Sequence, residues 1–105
     1  MTTLATEMIV PSAVSVEVTK DTLMVKLNDG YTISAPIAGY PRLLNGNRKE
    51  RANWRLIGQG HGIHWEDLDE DISVDNLMMG RPSNESRASL ERWLDSRKAS
   101  LLVYA

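Results

Sequence analysis

His61 and His64, followed closely by Glu66, Asp67, Asp69 and Asp71, are the side chains of this chain best suited to chemistry. Imidazole titrates near neutral pH and serves as acid, base or metal ligand. On a helix, histidines three apart beside carboxylates converge on zinc or iron, but Gly58, Gly60 and Gly62 oppose a helix here. On a strand, residues three apart face opposite sides and the two rings do not converge. The spacing therefore predicts no metal site. It leaves His64 with Asp67 or Asp69 as the acid–base pair of a small enzyme, an alternative to a non-catalytic role. The carboxylates at 67, 69 and 71 alternate as in the first half of an EF-hand loop. The position that needs glycine is Ile72, and the one that needs the closing Glu is Met78. A solvated acidic turn is the better account.

Two further patterns bear on ligands. Gly58-Gln59-Gly60-His61-Gly62 has glycines at period two, as loops that cradle phosphate often do. A dinucleotide fingerprint needs G-x-G-x-x-G between a strand and a helix, whereas strand-like Ile63-His64-Trp65 follows here. A hairpin turn or bulge is predicted instead. Arg42, Arg48, Lys49, Arg51 and Arg55 gather five of the 12 basic residues around Trp54. Such a cluster binds nucleic acid by phosphate contact and stacking. A formal net charge of −2 supplies no long-range attraction for it, however. Pairing with the acidic segment 66–75, or a polar surface for a protein partner, is favoured over nucleic acid.

Composition narrows the classes. With 105 residues, 42% of them hydrophobic, the chain makes one domain with a modest core. The absence of Cys excludes disulfides and thiol nucleophiles and suits a reducing cytosol. No apolar run approaches the ~20 residues of a membrane span. A cytoplasmic protein with no cofactor and no membrane association is expected. There is no Phe, so Trp54 and Trp65 are expected to fill core volume beside Leu56, Ile57 and Ile63.

The elements follow from periodicity. Residues 1–12 read as a flexible leader. Residues 13–19 and 23–27 alternate apolar and polar as half-buried strands. Asn28-Asp29-Gly30 signals a hairpin with a primed turn, and 31–35 return as a third strand ending at Pro36. Residues 37–44 read as a short helix, and 48–54 add one or two helical turns. Residues 56–58 and 63–65 form a second hairpin, and 74–80 a short helix closed by Gly80. Beyond Arg81, a helix from Glu85 to Lys98 carries a narrow Leu90-Trp93-Leu94 stripe, and the apolar run 101–104 follows. The fold class is α+β: a three-stranded antiparallel meander with short helices packed on it, a second small hairpin and a C-terminal helix. Residues 13–80 form the compact domain, and 81–105 the C-terminal helix and apolar tail.

Three segments carry a resemblance. They are Tyr40-Pro41-Arg42-Leu43-Leu44, Glu50 through Gly58, and Gly62-Ile63-His64-Trp65 with Asp67 through Val74. With the Leu27-x-Asp29-Gly30 turn, they resemble a small bacterial family catalogued as domain of unknown function 2442, over about residues 13–80. The resemblance implies a compact α+β domain with no established activity and no catalytic residues to carry over. It also implies small proteins sometimes joined to a helix-turn-helix, and sometimes paired in operons reminiscent of toxin–antitoxin modules. Residues 84–105 hold one helix and no second recognition helix, which argues against direct DNA binding.

The chain is therefore expected to be a non-enzymatic protein-interaction or regulatory module, antitoxin-like, with a protein partner or a second copy of itself. A nucleic-acid-associated transcriptional regulator and a small enzyme are the alternatives. The expected contact residues are Arg42, Arg48, Lys49, Arg51, Arg55, Trp93, Leu101, Leu102 and Tyr104. The tail is expected to serve contact more than the core, with 101–104 able to add a strand to a sheet edge.

Overall fold

The computed structural model describes residues 10–104, and of 100–104 the backbone alone. It is an α+β fold of two three-stranded antiparallel sheets, short helices and a long C-terminal helix. The first sheet is the expected meander: β1 (Ala13–Val18), β2 (Thr22–Leu27) and β3 (Thr32–Pro36), paired in that order. Alternation on β2 buries Leu23, Val25 and Leu27. On β1 the register shifts between Ala13 and Ser15. This irregularity puts Ala13 and Val16 in the core and leaves Val14 47% exposed, where strict period two would have buried it. The β2–β3 turn also differs from the two-residue primed turn. Leu27 donates to the Tyr31 carbonyl and its own carbonyl accepts from Gly30, so Asn28, Asp29 and Gly30 form a three-residue loop. Only Gly30 in it is left-handed, at φ 94°.

A 3-10 turn over Ile37–Gly39 leads into α1 (Pro41–Leu44), so the continuous helix expected over 37–44 is split in two. Pro41 is the cause: it sits at the first helical position, where its missing N–H costs nothing. Next, α2 (Arg48–Ala52) opens on a capping box, with Asn47 accepting from the Glu50 N–H and the Glu50 carboxylate accepting from the Asn47 N–H.

The second sheet consists of β4 (Trp54–Ile57), β5 (Gly62–Trp65) and β6 (Glu70–Ser73), in that order. The brief pairing that Ile72-Ser73 suggests is here a full strand, β6, because Ile63 and Ile72 pair across the strands and share the core. Between β4 and β5, the glycine-rich segment makes a tight turn in which Gln59 and Gly60 are both left-handed. Gly60 is required for packing as well: a Cβ there would sit 2.9 Å from the Ser12 Cβ and 3.0 Å from the Ala13 carbonyl. The Val74 N–H donates to the His61 carbonyl and starts α3 (Val74–Met78), which Ser73 caps by accepting from the Asn76 N–H.

Trp65, Leu23, Leu43, Ile63, Leu68, Val25 and Val74 are fully buried and join both sheets to α1 and α3. Trp54 lies opposite Trp65 in the β4–β5 register but is only half-buried, packed against the core instead of within it. It sits on an edge strand that, among the described residues, pairs on one side only. Finally, α4 runs over Arg87–Tyr104, two residues later at its start than expected and through the apolar run at its end. Residues 101–104 are thus helical in this chain, not the extended segment that could add a strand to a sheet edge. Among the described residues, no helix is long and apolar enough to cross a membrane.

Candidate functional site

The strand pairing decides what each charged side chain meets. Ile63 and Trp65 point inward from β5, so His64 points outward, level with Arg55 on β4 and Asp71 on β6. Its Nδ1 lies 2.6 Å from the Asp71 carboxylate, and its Nε2 lies 3.1 Å from the Glu66 carboxylate. Arg55 reaches the same Glu66 oxygen at 3.5 Å. The hydrogen bond to Asp71 raises the His64 pKa, opposed by desolvation, with Glu66 adding to the rise. Asp67 instead accepts from the Asn53 side chain at 2.9 Å, and Asp69 lies 3.9 Å from Arg42. The pair expected for acid–base work, His64 with Asp67 or Asp69, is not formed. His61 lies exposed on the β4–β5 turn and does not join His64. Among the described residues, no group of three or more His, Asp or Glu could hold a metal ion.

A second charged centre surrounds Arg42 on α1. Its Nη1 donates to the Leu68 and Asp69 carbonyls at 3.1 and 3.2 Å. Its Nε and Nη2 close on the Glu85 carboxylate at 2.9 and 2.6 Å, a two-point pairing. That bond holds Glu85 below the usual carboxylate range. A cleft of about 470 Å³ beside this pair is lined by Glu70, Tyr40, Asn76 and Arg81 as well as by Arg42 and Glu85. Strand alternation turns Glu70 to the inner side with Ile72, while Asp71 faces out. Burial pushes its pKa up to about 7; Arg42 opposes the rise and the nearby Glu85 charge adds to it. The cleft therefore pairs one carboxyl near its titration point with one held ionised, a contrast that acid–base sites use. The hydroxyls nearby are otherwise engaged. Ser73 Oγ caps α3, and the Tyr40 hydroxyl donates to the Arg81 carbonyl at 3.2 Å.

The third arrangement docks α4. Arg97 makes a two-point pair with Glu50, at 2.9 and 3.1 Å, and donates to the Asn45 carbonyl at 3.3 Å. The hydrogen bond from Arg97 lowers the Glu50 pKa. Two guanidiniums lie over the Trp93 ring, Arg42 at 5.0 Å and Arg97 at 4.7 Å from its centre. Each such contact contributes about 0.5–2 kcal/mol depending on desolvation. Among the described residues, no α4 side chain is fully buried, so charge and stacking hold this helix more than core packing does.

The expected contact residues thus divide. Arg42 is engaged with Glu85 and the Trp93 ring, and Arg51 donates to the Leu43 and Leu44 carbonyls at 2.8 Å each. Arg48 and Lys49 are exposed, with no ion-pair partner among the described residues, and Arg55 is exposed beside Glu66. The side chains of Leu101, Leu102 and Tyr104 lie outside the described residues. Sequence reasoning did not single out Glu50, Glu70, Glu85 or Arg97 for a site. Only Glu50 left a local signal, as the third residue of its capping box.

The fold and charged cleft define an α+β domain with no assigned chemistry. The chain belongs to the family described as protein of unknown function DUF2442, whose model matches residues 13–83. It is similar to a crystal structure of a protein of unknown function from Rhodospirillum rubrum, with 28% identity and a TM-score of 0.61. That likeness covers 76% of this chain and 96% of the other. A solution structure of an uncharacterised protein from Chromobacterium violaceum shares the fold, at 17% identity, a TM-score of 0.61, and coverage of 70% and 69%. No curated protein matches.

Proposed function

We propose that this protein is a non-enzymatic protein-interaction module whose contact face is built on α1 and α2. The observation that carries this reading is the contrast within the basic cluster. Arg42 and Arg51 are spent on internal carbonyls and Glu85, whereas Arg48 and Lys49 stand in solvent without ion-pair partners among the described residues. The acidic segment expected to answer the cluster meets only Arg55 and, more distantly, Arg42. Leu44, 45% exposed, ends α1 four residues before Arg48. Two unanswered cations and an exposed apolar side chain close by in the sequence suit an acidic partner with an apolar anchor. The family resemblance adds the finer reading of a regulatory, antitoxin-like half of a two-gene pair, working in the cytoplasm.

The test is co-purification from the native host with the tagged wild-type chain and with Arg48→Glu/Lys49→Glu. The double variant should keep its melting temperature and lose the partner found with the wild type. A partner retained in full by that variant would remove α2 as the contact face. Duplex DNA captured in place of protein would favour the regulator reading.

A further inference from the structure

The surface that receives α4 is organised without it. Two carbonyls of the β5–β6 connection, Leu68 and Asp69, hold the Arg42 guanidinium and leave its Nε–Nη2 edge facing outward. Glu50 is likewise fixed within the body, by the Asn47 N–H of the α2 capping box. The body thus presents one group that reads a carboxylate and one that reads a guanidinium, with the face of Arg42 open to a ring between them. In this chain Glu85, Trp93 and Arg97 fill the three positions.

All three occupants lie beyond residue 83, where the match to the family ends. The R. rubrum chain is matched over 96% of its length by 76% of this one, so that relative is a shorter chain. The receiving groups lie within the family domain and the occupants outside it. We infer that the Arg42–Glu50 face is a helix-docking site, that α4 with the Glu85 just before it is its tethered and dissociable occupant, and that a partner helix bearing an indole and a guanidinium on one side, preceded by a carboxylate, displaces it. Charge complementarity commits the site to that class of ligand. An all-acidic helix would leave Glu50 repelled, and an all-basic one would leave Arg42 unpaired. This inference rests on the interaction-module reading and supplies the chemistry of the partner.

Tethering decides how occupancy is measured. A short linker holds α4 at an effective concentration in the millimolar range, so a free helix competes poorly until the tethered one is weakened. The probe is a labelled synthetic peptide of residues 84–99 of this chain, titrated by fluorescence anisotropy into the full-length protein. Trp93→Ala/Arg97→Ala, which leaves Arg42 and Glu50 in place, should bind it saturably at micromolar concentration. Wild type should bind it roughly a hundredfold more weakly. Binding to the opened variant should be lost with a peptide carrying Trp93→Ala, and should fall sharply when Glu50→Gln is added to the protein. Gln at 50 retains the capping geometry and removes the charge.

Should the opened variant not fold, hydrogen exchange on the wild type decides. Amides of α4 should exchange at least about tenfold faster than those of β2 and β5, as a separate unit. The inference is overturned if α4 exchanges together with the core strands. A folded opened variant that fails to bind the peptide also overturns it, as does binding indifferent to Glu50. Arg48→Glu/Lys49→Glu should leave peptide binding intact, so failure here is distinct from failure of the α1–α2 contact face.

Discussion

Replacing Glu70 with Gln removes the charge of the one carboxyl that, among the described residues, the fold pushes far from its ordinary range, while keeping its shape. In an unfolded chain this group ionises near 4.5, and in the cleft near 7. A rise of that size corresponds to about 3 kcal/mol against the ionised form in the folded state. The carboxyl is only partly buried, and water screens part of that penalty, so about 1–2 kcal/mol is the expected effect. The sign follows from linkage: a carboxyl with a raised folded-state pKa takes up protons on folding, and stability falls as pH rises from about 4.5 through about 7. Glu70→Gln should therefore match wild type at pH 4.5 and exceed it at pH 8. For a domain this size, the gain at pH 8 should appear as roughly 5–10 °C in melting temperature. Thermal melts followed by circular dichroism at several pH values measure the difference. A gain of equal size at both ends of the pH range would refute the reasoning, and so would a loss at pH 8, which would mean that the Glu70 charge is held by a favourable contact.

Other perturbations bear on different parts of the molecule. Trp65 is fully buried and donates from Nε1 to the Arg51 carbonyl at 3.0 Å, so Trp65→Ala should cost about 3–5 kcal/mol by urea titration. Trp65→Phe, which mainly loses that hydrogen bond, should cost about 1–3 kcal/mol. Glu85→Gln should weaken α4 docking by removing the charge that Arg42 closes on, and wild-type α4 helicity should itself decline with added salt. An unchanged α4 amide-exchange profile in Glu85→Gln would show that the Arg42 pair is not what holds the helix. His64 has a raised pKa through Asp71, so its contribution to stability is present below the ordinary histidine range and fades as pH rises through the folded-state value. In His64→Gln that part of the pH dependence should vanish, and NMR titration of the wild-type ring should place its pKa above that of a free histidine.

Local chemistry alone determined the meander and the capped start of α2. Alternation over 23–27, the Asp29-Gly30 turn and the Asn47-x-x-Glu50 box act within a few residues, and each appears in the fold as a strand, a loop and a helix start. Where backbone irregularity entered, the pattern misled: the register shift in β1 exposed Val14, and Pro41 divided the helix expected over 37–44.

The candidate site was decided by tertiary structure. Asp67, Asp69, Glu70 and Asp71 read along the chain as one acidic turn, yet strand pairing sends Asp71 out to His64 and turns Glu70 toward the cleft. A one-residue change of register would exchange those two roles, and no composition reports it. Arg42 and Glu85 are 43 positions apart, and Glu50 and Arg97 are 47 apart. Such pairs form because packing brings α4 and the segment just before it across α1 and α2. Periodicity records the face a residue turns, whereas the partner that meets it depends on how distant segments are laid together.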